Sequence, residues 1–172
     1  MASVTVGPVE APAIMAVPPP APAPVVPQGL AMKIDGTRTN DRATELILAY
    51  YAAFNRGDWD GMVALLGENV VHDLNQGPRE TGRDAFSAFL QRMRRSYREQ
   101  LHDIVVMVSP DGARAAAEYI VHGEYLADDT GLPPAHGQKY MLPGGAFFEL
   151  RDGRIHRVTN YYNLEDWIAQ VR

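Results

Sequence analysis

The sequence predicts an α+β domain in which three N-terminal helices sit against a strongly curved, cone-shaped β-sheet. Two observations carry that reading. Between Leu46 and Tyr97 apolar residues recur at helical spacing, and from Ile104 onward they gather in β-branched and aromatic runs separated by turn signals. A third observation sets the boundary. Met1 to Gln28 is mostly Ala, Val and Pro, and eight of the 13 prolines fall there. Proline suits neither a helix interior nor a central strand, so residues 1–39 are expected to form a disordered arm and residues 40–172 the folded domain.

The elements follow in order. Asp41 is the expected N-cap of the first helix, with Leu46, Ile47, Tyr50, Ala53 and Phe54 on its apolar face. Gly57 ends it. Asp58 then caps a short second helix through Leu66, which Gly67 terminates. Val70 to Leu74 reads as a strand. Thr81-Gly82-Arg83-Asp84 reads as a capping box, and Phe86, Phe89, Leu90, Met93 and Tyr97 mark a third amphipathic helix. Ile104–Val108, Arg114–Tyr125, Tyr140–Leu150 and Ile155–Tyr162 are strands of a meander, with turns at Ser109-Pro110-Asp111-Gly112 and Arg151-Asp152-Gly153. Ala127 to Gln138 is a longer loop, and Leu164 to Val171 a short terminal helix. Gly144-Gly145 inside a strand pattern predicts a bulge or a bend where the sheet curves. On the second of these strands Ala117, Tyr119, Val121 and Tyr125 should pack inward, leaving Glu118 and His122 outward or at a dimer interface; the reverse parity would make Glu118 a second cavity acid.

Composition excludes several classes of function. The chain has 172 residues, 46% hydrophobic and 22% charged, with a net charge of −5. With no long basic run, nucleic acid is not expected as a partner. Cysteine is absent, which removes disulfides and thiolate chemistry and fits a cytoplasmic protein. No apolar run reaches the roughly 18 residues of a membrane span, so no membrane partner is expected. The five histidines show no metal-ligand spacing, and no metal or cofactor is expected.

The best clue to chemistry pairs Tyr50, on the first helix, with Asp73, on the following strand. The two could face one pocket. Tyr50 serves equally as a core tyrosine, and Asp73 as a strand-end residue bonding loop amides. The surrounding motifs are more specific. Tyr50-Tyr51-Ala52-Ala53-Phe54-Asn55-Arg56-Gly57-Asp58, followed by Gly82-Arg83-Asp84-Ala85-Phe86, resembles the nuclear-transport-factor-two-like superfamily. Asn75-Gln76-Gly77, Leu142-Pro143-Gly144-Gly145-Ala146-Phe147-Phe148-Glu149 and Asn160-Tyr161-Tyr162-Asn163 resemble its ketosteroid-isomerase-related and polyketide-cyclase-like members.

The resemblance covers about residues 42–171 and implies a ketosteroid-isomerase-like roll, usually a homodimer. It implies a cofactor-independent isomerase or cyclase acting by proton transfer beside the carbonyl of a small apolar, steroid- or polyketide-like molecule. A binding-only or interaction module on the same fold is the alternative. In ketosteroid isomerases a first-helix tyrosine donates to the enolate oxygen, and Tyr50 stands at that place. A strand aspartate shuttles the proton, and Asp73 matches it across a one-residue gap. The second acid of the oxyanion hole falls on Gly145, so that residue is missing. Trp59, Asn75, Phe147 and Tyr161 are the expected substrate-binding positions around Tyr50 and Asp73.

Overall fold

The computed structural model describes residues 36–172 apart from Asn75 and Gln76. The expected arm lies outside the described residues except at its end, where the first helix already runs. The elements are α1 (Gly36–Arg56), α2 (Trp59–Ala64), β1 (Leu66–Asp73), β2 (Arg79–Thr81), α3 (Arg83–Ser96), β3 (Tyr97–Val108), β4 (Arg114–Tyr125), β5 (Gln138–Arg151), β6 (Arg154–Tyr162) and α4 (Leu164–Val171). One curved, unclosed sheet runs β2-β1-β6-β5-β4-β3. The β1–β6 pair is parallel and the other pairs are antiparallel. No helix among the described residues is long and apolar enough to cross a membrane.

The turn from α1 to α2 shows how few residues fix the entry to the sheet. Gly57 takes φ +69, where a side chain would be strained. Its N–H reaches Phe54 O and the Asp58 N–H reaches Ala53 O, each at 2.9 Å, the double bond of a Schellman stop. Asp58 then caps α2 by accepting from the Gly61 N–H at 2.9 Å. Asn55 behaves like a short strand. Its amide donates to Leu101 O at 2.9 Å and accepts from the Leu101 N–H at 2.8 Å. That clamp ties the end of α1 to β3 beside an irregularity between His102 and Val105, where Asp103 adopts φ +52.

β4 alternates with period two. Ala115, Ala117, Tyr119, Val121 and Tyr125 are buried, while Glu118 and His122 are exposed, as the sequence pattern implies. Register carries the inner face across the sheet. Ala115, Ala117 and Tyr119 lie beside Phe148, Ala146 and Gly144 of β5, which lie beside Val158, Asn160 and Tyr162 of β6. Ile47, Tyr50, Tyr51 and Ala53 of α1 and Phe86 and Leu90 of α3 join the same core. Trp167 of α4 packs edge-on against Tyr97, Tyr125 and Tyr140, covering one end of the sheet.

Several local expectations are corrected. Leu66 and Gly67 belong to β1, because α2 stops at Ala64. Thr81 is the last residue of β2; Gly82 precedes α3 with no side-chain cap bond, so there is no capping box. Tyr97 leaves α3 for β3, which begins seven residues before the expected Ile104. β5 keeps one register through Gly144 and Gly145, so the expected bulge is absent there. A Cβ on Gly144 would sit 2.8 Å from the Tyr119 ring, and one on Gly145 would sit 3.0 Å from Ala117 O. These glycines make room for neighbours within one continuous register.

Asn55→Ala should strip both bonds from Leu101 and leave a backbone N–H and C=O without partners. A loss of about 2–3 kcal/mol is expected in urea unfolding, with Asn55→Asp intermediate because it keeps the acceptor.

Candidate functional site

β1 is pinned on both sides, and that decides which of its residues can do chemistry. Asp73 lies beside Arg79 of β2 and Thr159 of β6, and His72 beside Glu80 and Val158. Thr159 in turn pairs with Phe147, an exposed outer-face residue, whereas Val158 pairs with the fully buried Phe148. Asp73 therefore points to the outer face and His72, 2% exposed, to the inner one. The one-residue gap in the family match is the reason: a slip of one along a strand exchanges its faces.

The structure consequently does not bring Tyr50 and Asp73 together. Tyr50 is 4% exposed and packs edge-on against Tyr51 and Phe148 in the core. Asp73 accepts from Arg79 Nε at 2.6 Å and from the Thr159 hydroxyl at 3.3 Å. These bonds, the Arg79 bond first, hold its carboxyl below the usual range, the reverse of what a general base needs. Phe147 and Tyr161 pair edge-on at 5.7 Å on the outer face. Trp59 packs against Phe54 at the start of α2. Asn75 lies outside the described residues.

A different set of polar groups crosses the inner face. His72 Nε2 lies 3.2 Å from Asn160 Oδ1. Tyr119 lies near the same Asn160 and packs edge-on against Tyr51 at a centroid distance of 5.3 Å. Tyr51 Oη nevertheless has no bond of good geometry, and His72 Nδ1 is also buried without a partner. Burial drives the His72 pKa below its ordinary value against the Asn160 bond and the charges of Glu80 and Asp73, so the ring is neutral at pH 7. Phe86 and Phe89 of α3 hold the ring at centroid distances of 4.6 and 4.5 Å.

At the β3 end of this band the Tyr140 hydroxyl donates to Glu99 Oε1 at 2.5 Å. Gly123 stands between them in register, and a Cβ there would fall 2.1 Å from the Tyr140 ring. A glycine is required for the ring to cross β4 and reach β3. Burial raises the Glu99 pKa, with the Tyr140 bond opposing it. Burial raises the pKa of Tyr119 and of Tyr162, with the Glu99 charge a smaller cause acting the same way.

An open groove of about 770 Å³ lies mainly on the outer face, lined by residues such as Val105, Glu118, Ile120, Pro143 and Tyr161. Tyr119, Gly144 and Tyr162 also line it, so it meets the His72–Asn160–Tyr119 band at Tyr119. Among the described residues no group of three His, Asp or Glu side chains could hold a metal.

Residues 47–158 match the SnoaL-like domain. The chain belongs to the SnoaL-like family. Its curved, unclosed sheet and preceding helices are the nuclear-transport-factor-two-like fold. The chain is 66% identical to a candidate polyketide cyclase of Xanthomonas campestris pv. campestris, covering 78% of this chain and 99% of that one with a TM-score of 0.76. A candidate polyketide cyclase of Pseudomonas putida is 62% identical over 76% of this chain and 98% of that one, with a TM-score of 0.75. A candidate ketosteroid isomerase of Kribbella flavida is 26% identical over 72% of this chain and 79% of that one, with a TM-score of 0.53. No curated protein matches the chain.

Sequence reasoning missed His72, Tyr119, Asn160 and Glu99 as a group. Tyr119 was expected to point inward without a polar role, and Glu99 stood in the unread start of β3. The available signal was alternation from the buried Val70, which places His72 on the same face.

His72 and Glu99 should give opposite pH dependences of stability. His72 protonates near 6.5 in the unfolded chain and lower in the fold, so stability should fall as pH drops below about 6.5. Glu99 ionises near 4.5 when unfolded and higher in the fold, so its contribution should fall as pH rises above that value. Urea midpoints from pH 5 to 8.5 should show the first slope flattened in His72→Gln and the second in Glu99→Gln.

Proposed function

We propose that this protein is a cofactor-independent isomerase or cyclase that moves a proton beside the carbonyl of a small apolar, polyketide- or steroid-like molecule. The observation that carries the reading is a neutral imidazole, His72, buried on the inner face beside Asn160 and the Tyr119 hydroxyl. Similarity to candidate polyketide cyclases over more than three quarters of the chain supports the reaction class.

The chemistry needs a base and an oxygen-binding donor. His72 takes a proton from the carbon next to the carbonyl, and the electron pair moves onto the carbonyl oxygen as an enolate. Tyr119, kept protonated by burial, donates to that oxygen together with the Asn160 amide. In an isomerisation the imidazolium returns the proton to another carbon. In a cyclisation the enolate carbon bonds to a second carbonyl carbon, whose oxygen then takes the proton. Glu99, whose pKa burial raises, lies on the same face, where its carboxyl accepts from the Tyr140 hydroxyl.

The test is solvent deuterium incorporation into cyclic enones and short polyketide mimics. His72→Gln should lose about 100-fold or more in exchange rate, and Tyr119→Phe about 10- to 100-fold. Asp73→Asn should leave the rate within about twofold, because Asp73 lies on the other face. Tight binding with no exchange by the native protein would instead support a non-catalytic ligand-binding module. The packing of Tyr50, Tyr51 and Phe148 at the centre of the inner face favours that second reading.

The same scaffold also supports a homodimer through the outer sheet face. Val105, Met107, Met141, Phe147 and Tyr161 are between 49% and 61% exposed there. Several charges around them are paired within the chain, Arg98 with Glu124 and both Arg114 and Arg157 with Glu149, while Glu118 lies exposed beside Val105. An apolar patch bordered by charges paired within the chain suits a second copy of itself. Light scattering should give twice the chain mass for the native protein and a monomer for Phe147→Asp. A monomeric native protein at micromolar concentration would remove this reading.

A further inference from the structure

Two buried polar atoms lack partners on directly paired residues. They are His72 Nδ1 and Glu80 Oε2, and His72 and Glu80 stand opposite each other in the β1–β2 ladder. Cross-strand neighbours on one face have Cβ atoms roughly 5 Å apart, so the two side chains share one environment. The Glu80 charge acts on His72 directly. Its other oxygen, Oε1, accepts from Arg92 Nη2 of α3 at 2.9 Å. The remaining groups around the imidazole are Phe86 and Phe89 of α3, Asn160 of β6 and the neighbouring Asp73.

The pairing of these orphans depends on which imidazole nitrogen carries the proton. With the proton on Nε2, that nitrogen donates to Asn160 Oδ1 and Nδ1 presents a lone pair. A lone pair and a carboxylate oxygen are both acceptors, so both stay unsatisfied, and the ring's negative side meets a negative group. With the proton on Nδ1, a buried donor meets a buried acceptor. A small side-chain rotation or one bridging water then closes the bond. The Asn160 amide turns over at no cost in shape and offers its NH2 to Nε2.

We infer that Glu80 is a positioning residue: it takes the Nδ1–H of His72, fixes that tautomer and leaves the Nε2 lone pair facing Asn160 and Tyr119 as the basic atom. Arg92 holds the Glu80 carboxylate in place from behind. The arrangement is a carboxylate–imidazole dyad assembled from an edge hairpin and a helix. The inference rests on the proposed role of His72 as the base. Glu80 itself touches no substrate; it acts through the imidazole.

Imidazole nitrogen NMR on the full chain at pH 7.5 reads the tautomer without any activity assay. His72→Gln identifies the His72 resonances by their loss. In the native protein Nδ1 should be the protonated nitrogen. In Glu80→Gln, Arg92 keeps the amide oxygen, the new NH2 faces Nδ1, and the proton should move to Nε2. In that variant deuterium exchange should fall about tenfold or more in kcat with KM little changed, as expected when a base is misoriented and binding is intact. A native protein protonated on Nε2, or a Glu80→Gln tautomer identical to native, overturns the inference. The native spectrum alone decides the first point should Glu80→Gln not fold. A native Nδ1–H tautomer that shifts in Glu80→Gln, in a protein that exchanges no protons, upholds the dyad and overturns the proposed reaction instead.

Discussion

The strand period of two, locked by the pairing of β1 between β2 and β6, is the constraint on which the site depends. Both ladders agree on the same parity, so β1 cannot slide by one residue without exposing Val70 and His72 and burying Asp73. Burying Asp73 would desolvate a carboxylate and separate it from Arg79, whereas exposing Val70 would forfeit its apolar burial. The two penalties act in the same direction. The chemistry available at the inner edge of the sheet is therefore that of an imidazole rather than of a carboxylate.

A second constraint is that Tyr119 and Asn160, and likewise Tyr140 and Glu99, sit on strands that are not neighbours. β4 and β6 are separated by β5, and β3 and β5 by β4. Tyrosine rings bridge the intervening strand, and each crosses at a glycine. Tyr140 passes over Gly123 to Glu99, and Tyr119 packs over Gly144 toward Asn160. An alanine at either glycine would push the ring off its path. The Asn55 clamp acts at the other border, fixing α1 to the strand that carries Glu99. The position of the polar band is thus set by small residues and backbone bonds that do no chemistry themselves.

The sheet, the helices and the family were legible because they rest on local periodicity and on turn residues. Gly57 and Asp58 mark the α1–α2 turn, and the alternation of β4 separates its apolar set from Glu118 and His122, while the buried face is settled by packing. Asp73 was misplaced because alignment by motif counts residues, and a single gap inverts a strand's faces. β2 was missed because Arg79-Glu80-Thr81 has neither β-branched density nor alternation, and it exists by pairing with β1. The start of β3 was hidden because Tyr-Arg-Glu-Gln continues the charged pattern of α3, and tertiary pairing with β4 overrides it. Glu99, His72 and Asn160 come from three different strands, and no spacing in the chain announces their meeting.

The two sheet faces treat ionisable groups in opposite ways. On the outer face Asp73 and Glu149 are held ionised by arginines, with pKa values below the usual range. On the inner face burial favours the neutral form of His72, Glu99 and Tyr119 alike. An isolated charge formed there would be costly, but a proton passing from a carbon acid to His72 creates an imidazolium and an enolate together. Opposite charges formed within a few ångströms in a low-dielectric setting offset much of each other's desolvation. A pre-ionised carboxylate acting as the base there would lack this advantage; the Glu80 carboxylate on that face is instead paired with Arg92. The inner face therefore suits proton transfer that begins and ends with neutral partners, and an apolar carbonyl compound is the substrate class that requires no standing charge to bind.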